Sequence, residues 1–149
     1  MKLFKMRVSK PIVMMDVKTG GYGGGGGPYT STKRTMNSEL GKKYNFIPLN
    51  YDLNLGGKIS IRRIKDLVRQ LNKTQPDLVH FTGLQLSGLH IAIACKISGI
   101  KSTVMTVRGS SADALDINLW KKFILSFILE PITILLCKKV IGVSNYVVS

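Results

Sequence analysis

Seven of the nine residues in Gly20-Gly21-Tyr22-Gly23-Gly24-Gly25-Gly26-Gly27-Pro28 are glycine. The run stands between an apolar strand pattern at 11–17 and a helix pattern that opens at Pro28 and runs to about Leu40. Glycine at such a junction lets the backbone turn through positive φ and brings its N–H groups close to a ligand with no Cβ in the way. A helix N-terminus just behind the turn adds unpaired donors and a partial positive charge, a setting that suits phosphate. The plain alternative is a flexible linker. Linkers seldom fall between a buried strand and a well-started helix, which favours a phosphate-binding loop at Gly23, Gly24, Gly25, Gly26 and Gly27.

Strand and helix patterns then alternate to the end of the chain. Residues 44–49 read as a second strand, with Pro48 marking an exposed or irregular edge. Ile61, Ile64, Val68 and Leu71 recur at helical spacing, so 60–73 is predicted as an amphipathic helix capped by Ser60. A third strand at 77–81 follows Pro76, and a mostly apolar helix at 86–98 closes at Gly99. Residues 101–107 read as a fourth strand, 119–138 as a long helix broken at Pro131, and 140–143 as a fifth strand. This alternation predicts one domain over residues 1–149, an α/β doubly wound, Rossmann-like parallel sheet of about five strands. Ligands of such sheets bind at the C-terminal strand ends. The glycine run, Thr82-Gly83, Arg108-Gly109-Ser110-Ser111 and Ser144-Asn145 are expected there, in one crevice. Strands one and four are expected to be neighbours across the switch point, which would set Arg108 beside the glycine loop. A fifth strand whose following helix has barely begun suggests part of a longer two-domain protein.

With 22 basic against 8 acidic residues the chain carries a net charge of +14, so its partners are expected to be anionic. Lys58, Arg62, Lys65, Arg69 and Lys73 fall four, three, four and four apart on the amphipathic helix and form a basic stripe. That stripe suits anionic lipid headgroups; its plain reading is a solvated helix face. Nucleic acid is disfavoured, because no recognition motif is evident and aromatics are few. Phe123 to Cys137 is apolar but interrupted by Glu130 and Pro131, and too short to span a bilayer comfortably. A buried core helix is the default there, and partial insertion at a membrane interface the sharper alternative. Cys95 and Cys137 lack metal-ligand spacing and read as buried thiols of a reducing compartment. The basic N-terminus is not followed by a long enough apolar stretch for a signal peptide, so the expected location is cytoplasmic.

Catalytic signals are sparse. Gly21-x-Gly23-x-x-Gly26 matches the dinucleotide fingerprint, but seven glycines make the match almost automatic, and the acidic partner Asp52 lies far along the chain. His90 reads as a core histidine. His80 lies near the ligand end of its strand and is a candidate for chemistry. No pair of carboxylates, Cys/His cluster or Ser-His-Asp arrangement is evident, and no metal or cofactor is expected.

In order and spacing, four motifs together resemble the N-terminal half of a glycosyltransferase family 4 enzyme of the two-domain GT-B fold. They are the first strand with its glycine loop, Pro76-Asp77-Leu78-Val79-His80-Phe81-Thr82-Gly83, Thr106-Val107-Arg108-Gly109, and Ile141-Gly142-Val143-Ser144. The resemblance covers essentially the whole chain. It implies retaining transfer of a sugar from a nucleotide-sugar donor to a lipid-linked or polysaccharide acceptor, often at the inner membrane face. It further implies that the glycine loop touches the donor diphosphate and that this domain mostly binds the acceptor. Thr82, Gly83, Arg108, Gly109, Ser110, Ser144 and Asn145 would line the crevice. The family's second domain, which holds most of the nucleotide-sugar, is absent, so the isolated chain is expected to be inactive. Arg108 stands where the family often has histidine. Arginine keeps donors and positive charge but cannot serve as a neutral proton acceptor. Two other readings stay open: a non-catalytic phosphate- or nucleotide-binding module, and a basic adaptor for membrane or nucleic acid.

Overall fold

The computed structural model describes residues 9–16, 27–50, 58–84, 86–108 and 118–143. Five parallel strands form one sheet in the order β2-β1-β3-β4-β5. They are β1 Ile12–Asp16, β2 Asn45–Leu49, β3 Leu78–Thr82, β4 Thr103–Val107 and β5 Lys139–Gly142, joined through α1 Gly27–Asn37, α2 Ile61–Thr74, α3 Leu86–Ile97, α4 Leu119–Ile124 and α5 Glu130–Leu136. This is the α/β Rossmann-like arrangement that the alternation predicts. Pro48 lies on the edge strand β2, where its missing N–H costs the ladder nothing on the open side.

The chain moves outward from β1 to β2, then crosses back past β1 to lay down β3, β4 and β5 in turn. Right-handed crossovers therefore set α1 on one face and α2, α3 and α5 on the other. The second face carries the main core. Met14, Leu49, Val79, Phe81 and Met105 of the sheet meet Leu67 and Leu71 of α2 and Ile91, Ala94 and Cys95 of α3. Burying each large side chain there contributes about 1.5–3 kcal/mol. At the opposite end of the strands, Asp77 fastens β3 to β1, its carboxylate accepting from Ile12 N–H at 2.8 Å while its own N–H donates to the Ile12 carbonyl at 2.9 Å.

Local chemistry explains the helix ends. Ser60 caps α2, its hydroxyl accepting from Arg63 N–H at 3.3 Å. After α3 the Ile100 N–H reaches back to the Cys95 carbonyl and Gly99 takes φ +70°, the left-handed C-terminal turn that glycine permits. Helix α1 stops at Asn37, three residues short of the expected Leu40. The Ser38 hydroxyl donates to the Thr35 carbonyl at 2.8 Å and accepts from Gly41 N–H at 3.0 Å, turning the chain into a 3-10 turn at Gly41–Lys43.

Two expectations are corrected. The long helix over 119–138 is three pieces, with a π-helical turn at Leu125–Leu129 between α4 and α5. Pro131 falls in the first turn of α5 and has no N–H for the carbonyl four residues back, and the widened turn before it takes up the misfit. Nor is Phe123 to Cys137 a buried core helix: Phe123, Ile124, Phe127, Ile128, Ile132 and Leu135 are exposed. Among the described residues, no helix is long and apolar enough to cross a membrane.

Candidate functional site

All five strands run the same way, so their C-terminal ends share one edge. The switch point lies between β1 and β3, the two strands from which the chain departs in opposite directions. The adjacency expected of strands one and four is therefore wrong: β3 stands between them, because the third strand fills the place on the inner side of β1. Arg108 ends β4 on the same edge as the loop that leaves β1, but one strand farther out.

At the switch point the C-terminal end of β3 is fastened on both sides. Toward β1, the buried Asp16 carboxylate accepts from Thr82 N–H at 3.1 Å and from the Thr82 hydroxyl at 3.0 Å. Toward β4, Gly83 N–H donates to the Thr106 carbonyl at 3.0 Å. Gly83 has φ 93°, a left-handed conformation that side chains resist. Helix α3 then packs directly on this turn. A Cβ added at Gly88 would lie 2.0 Å from the Gly83 carbonyl oxygen, so only glycine lets the helix come this near. The anchor Asp16 is absent from the residues expected from sequence. Its signal is a carboxylate closing an apolar strand just before the glycine run.

His80, one of the two candidates for chemistry, lies within β3, with Nε2 at 2.8 Å from the Thr106 hydroxyl. Burial holds its imidazole below its ordinary titration range, and the nearby Arg108 guanidinium pushes the same way. The ring is therefore neutral near pH 7. Arg108 itself is exposed, one residue past the end of β4. Thr82, Gly83, His80, Thr106 and Arg108 are thus gathered at one end of β3 and β4. Gly23, Gly24, Gly25, Gly26, Gly109, Ser110, Ser144 and Asn145 lie outside the described residues, as does Asp52. Gly27 is the first residue of α1. No group of three or more His, Cys, Asp or Glu that could hold a metal ion occurs among the described residues.

His90 is a core histidine, fully buried on α3. Its Nε2 accepts from Ser60 N–H at 2.9 Å, so in the neutral ring the proton sits on Nδ1. Burial lowers its pKa, Arg63 adds to the effect, and the Leu86 carbonyl opposes it. Protonating Nε2 would replace its acceptor lone pair with a donor facing the Ser60 N–H, at the cap of α2. Both histidines titrate lower folded than unfolded, so their contribution is complete above the ordinary value of 6.5 and is lost as pH falls below it. The melting temperature is expected to drop between pH 7 and pH 5, and less steeply in His90→Gln, whose amide oxygen still accepts. Identical pH profiles for the two proteins would show that His90 is not responsible. The free thiols are inert, with burial pushing Cys95 up to about 12 and Cys137 to about 11.

The basic stripe on α2 is exposed at Lys58, Arg62, Lys65, Arg69 and Lys73, and Asp66 interrupts it with an ion pair to Arg69 at 3.6 Å. No curated protein matches the chain. The family described as glycosyl transferase 4-like matches residues 29–139, from the start of α1 to the first residue of β5. The match covers well over half of the sequence and takes in β2, β3 and β4 with Thr82, Gly83, Thr106 and Arg108 at their ends, and on that evidence the chain belongs to the glycosyl transferase 4-like family.

Proposed function

We propose that this chain is the acceptor-side domain of a retaining glycosyltransferase of GT-B architecture. It would serve transfer of a sugar from a nucleotide-sugar to a lipid-linked or polysaccharide acceptor. The observation that carries the reading is the strand-end cluster of a family 4-like domain, with an exposed Arg108 near enough to His80 for its charge to help keep that ring neutral. In such a transfer the bond from the anomeric carbon to the diphosphate oxygen breaks, and an acceptor hydroxyl oxygen bonds to that carbon on the same face, its proton passing to the departing diphosphate. Negative charge develops on the departing diphosphate. The loop Gly23–Gly27 and the N-terminus of α1 supply N–H donors for it, and Arg108 supplies a bidentate cation for diphosphate or an anionic acceptor. Thr82, Gly83, Gly109, Ser110, Ser144 and Asn145 complete the crevice. The nucleotide-sugar is a substrate, and the chemistry needs no further cofactor or metal.

A GT-B enzyme closes two such sheets over its donor, and the described residues fold one, so the 149 residues alone are expected to show no turnover. The proposed setting is the cytoplasmic face of the cell membrane, with the α2 stripe toward anionic lipid. In a complete two-domain enzyme carrying this domain, Arg108→Ala and Gly24→Val are each expected to lower transfer by about 100-fold, the scale of losing one preorganised charge-stabilising group, with the circular dichroism spectrum unchanged. Full activity in both variants would remove the crevice from the mechanism and leave a non-catalytic phosphate-binding module as the better reading.

A further inference from the structure

The helical run from Leu119 to Leu136 is built inside out. The residues it turns inward include Glu130 and Thr133, the latter fully buried, with its hydroxyl donating to the Leu129 carbonyl at 2.7 Å. The described residues turned to solvent between Phe123 and Leu135 are all apolar. Trp120 is 77% exposed, Phe127 69% and Leu135 83%, and the Phe123 and Phe127 rings stack with centroids 4.8 Å apart. An amphipathic helix on a soluble domain carries the opposite pattern. A continuous apolar surface of this kind marks an interaction face.

We propose that this face seats the domain in the interface of an anionic lipid bilayer, with the run lying in the membrane plane. Three observations favour lipid over a second copy of the chain. A net charge of +14 on each molecule opposes self-association and draws the protein to an anionic surface. The run begins with Trp120-Lys121-Lys122 and is followed by Lys138, the combination of an amphipathic aromatic and flanking cations that sits well at headgroup depth. A second apolar point lies at the start of α2, where Ile59 and Ile61, exposed on either side of the Ser60 cap, stand beside Lys58 and Arg62 in the sequence. Helices α2 and α5 both pack against α3 and so belong to one helical layer. The run lies flat because it is too short to span and because Glu130 belongs to its inward side. This inference rests on the surface alone and stands whether or not the domain serves sugar transfer.

Trp120 is the chain's only tryptophan, so its fluorescence reports on this face directly. Vesicles of equimolar phosphatidylcholine and phosphatidylglycerol are expected to shift its emission to the blue, and brominated acyl chains to quench it. Vesicles of phosphatidylcholine alone should do so far less. The double variant Phe123→Ser/Phe127→Ser removes two exposed rings, so it should keep its fold and lose at least about tenfold in vesicle affinity, as a difference of 1.4 kcal/mol would give. An emission maximum unchanged by anionic vesicles would overturn the proposal. So would wild-type affinity in the double variant. A blue shift that grows with protein concentration in the absence of lipid would assign the face to a second copy instead.

Discussion

Gly88→Val is expected to lower stability by roughly 3 kcal/mol, at the upper end of the cost of overpacking a core. For a chain of 149 residues that is a fall in melting temperature of about 6–12 °C. A Cβ at Gly88 meets the Gly83 carbonyl oxygen at 2.0 Å and the Gly83 carbonyl carbon at 3.1 Å, which are backbone atoms that cannot rotate away. Gly83 is itself held by its bond to the Thr106 carbonyl, so the strain passes into the turn at the end of β3. Gly99→Ala is the control. Nothing lies within 4 Å of its added Cβ, and its cost is limited to the φ of +70°, about 1 kcal/mol. Urea or thermal unfolding of the two variants separates these effects. A Gly88→Val protein as stable as Gly99→Ala would mean that α3 does not sit on the β3 turn.

Asp16→Ala is expected to cost roughly 2–3 kcal/mol, because it removes the carboxylate that receives both the Thr82 N–H and the Thr82 hydroxyl inside the protein. Thr82→Val deletes only the hydroxyl half of the contact. In a double-mutant cycle the two changes should couple by about 1 kcal/mol, since residues that share a bond are not additive. Additivity within about 0.3 kcal/mol would show that the Asp16–Thr82 contact carries no energy. The coupling also matters for the proposed site, because Asp16 ends β1 just before the glycine run in the sequence and Thr82 ends β3.

Much of the architecture was readable from local patterns. Ser60 before a 3.6-residue apolar repeat, Gly99 after an apolar helix and Pro48 in an edge strand each act through their nearest neighbours. What escaped depends on tertiary placement. The bond between Asp16 and Thr82 joins residues 66 positions apart, and it exists only because β3 settles beside β1. Strand order is not written in periodicity, so the sequence pattern sets β1 beside β4 where the fold places β3 between them. Phe123 to Cys137 was assigned to the core on composition, whereas Glu130 and Thr133 turn inward and the apolar rings outward. Helix α1 was extended past Asn37 because the Ser38 side chain, rather than a proline or glycine, turns the chain there.

On the proposed reading, the C-terminal ends of β1, β3 and β4 form one anion-binding crevice. The measurement that decides it is a titration of the 15N-labelled chain with pyrophosphate, the part common to nucleoside diphosphate-sugar donors. The amides of Thr82, Gly83 and Arg108 are expected to shift together along one saturable curve, and Asp16→Ala to weaken that curve. Shifts confined to Arg62, Lys65 and Arg69 on α2, with the strand-end amides unmoved, would contradict it.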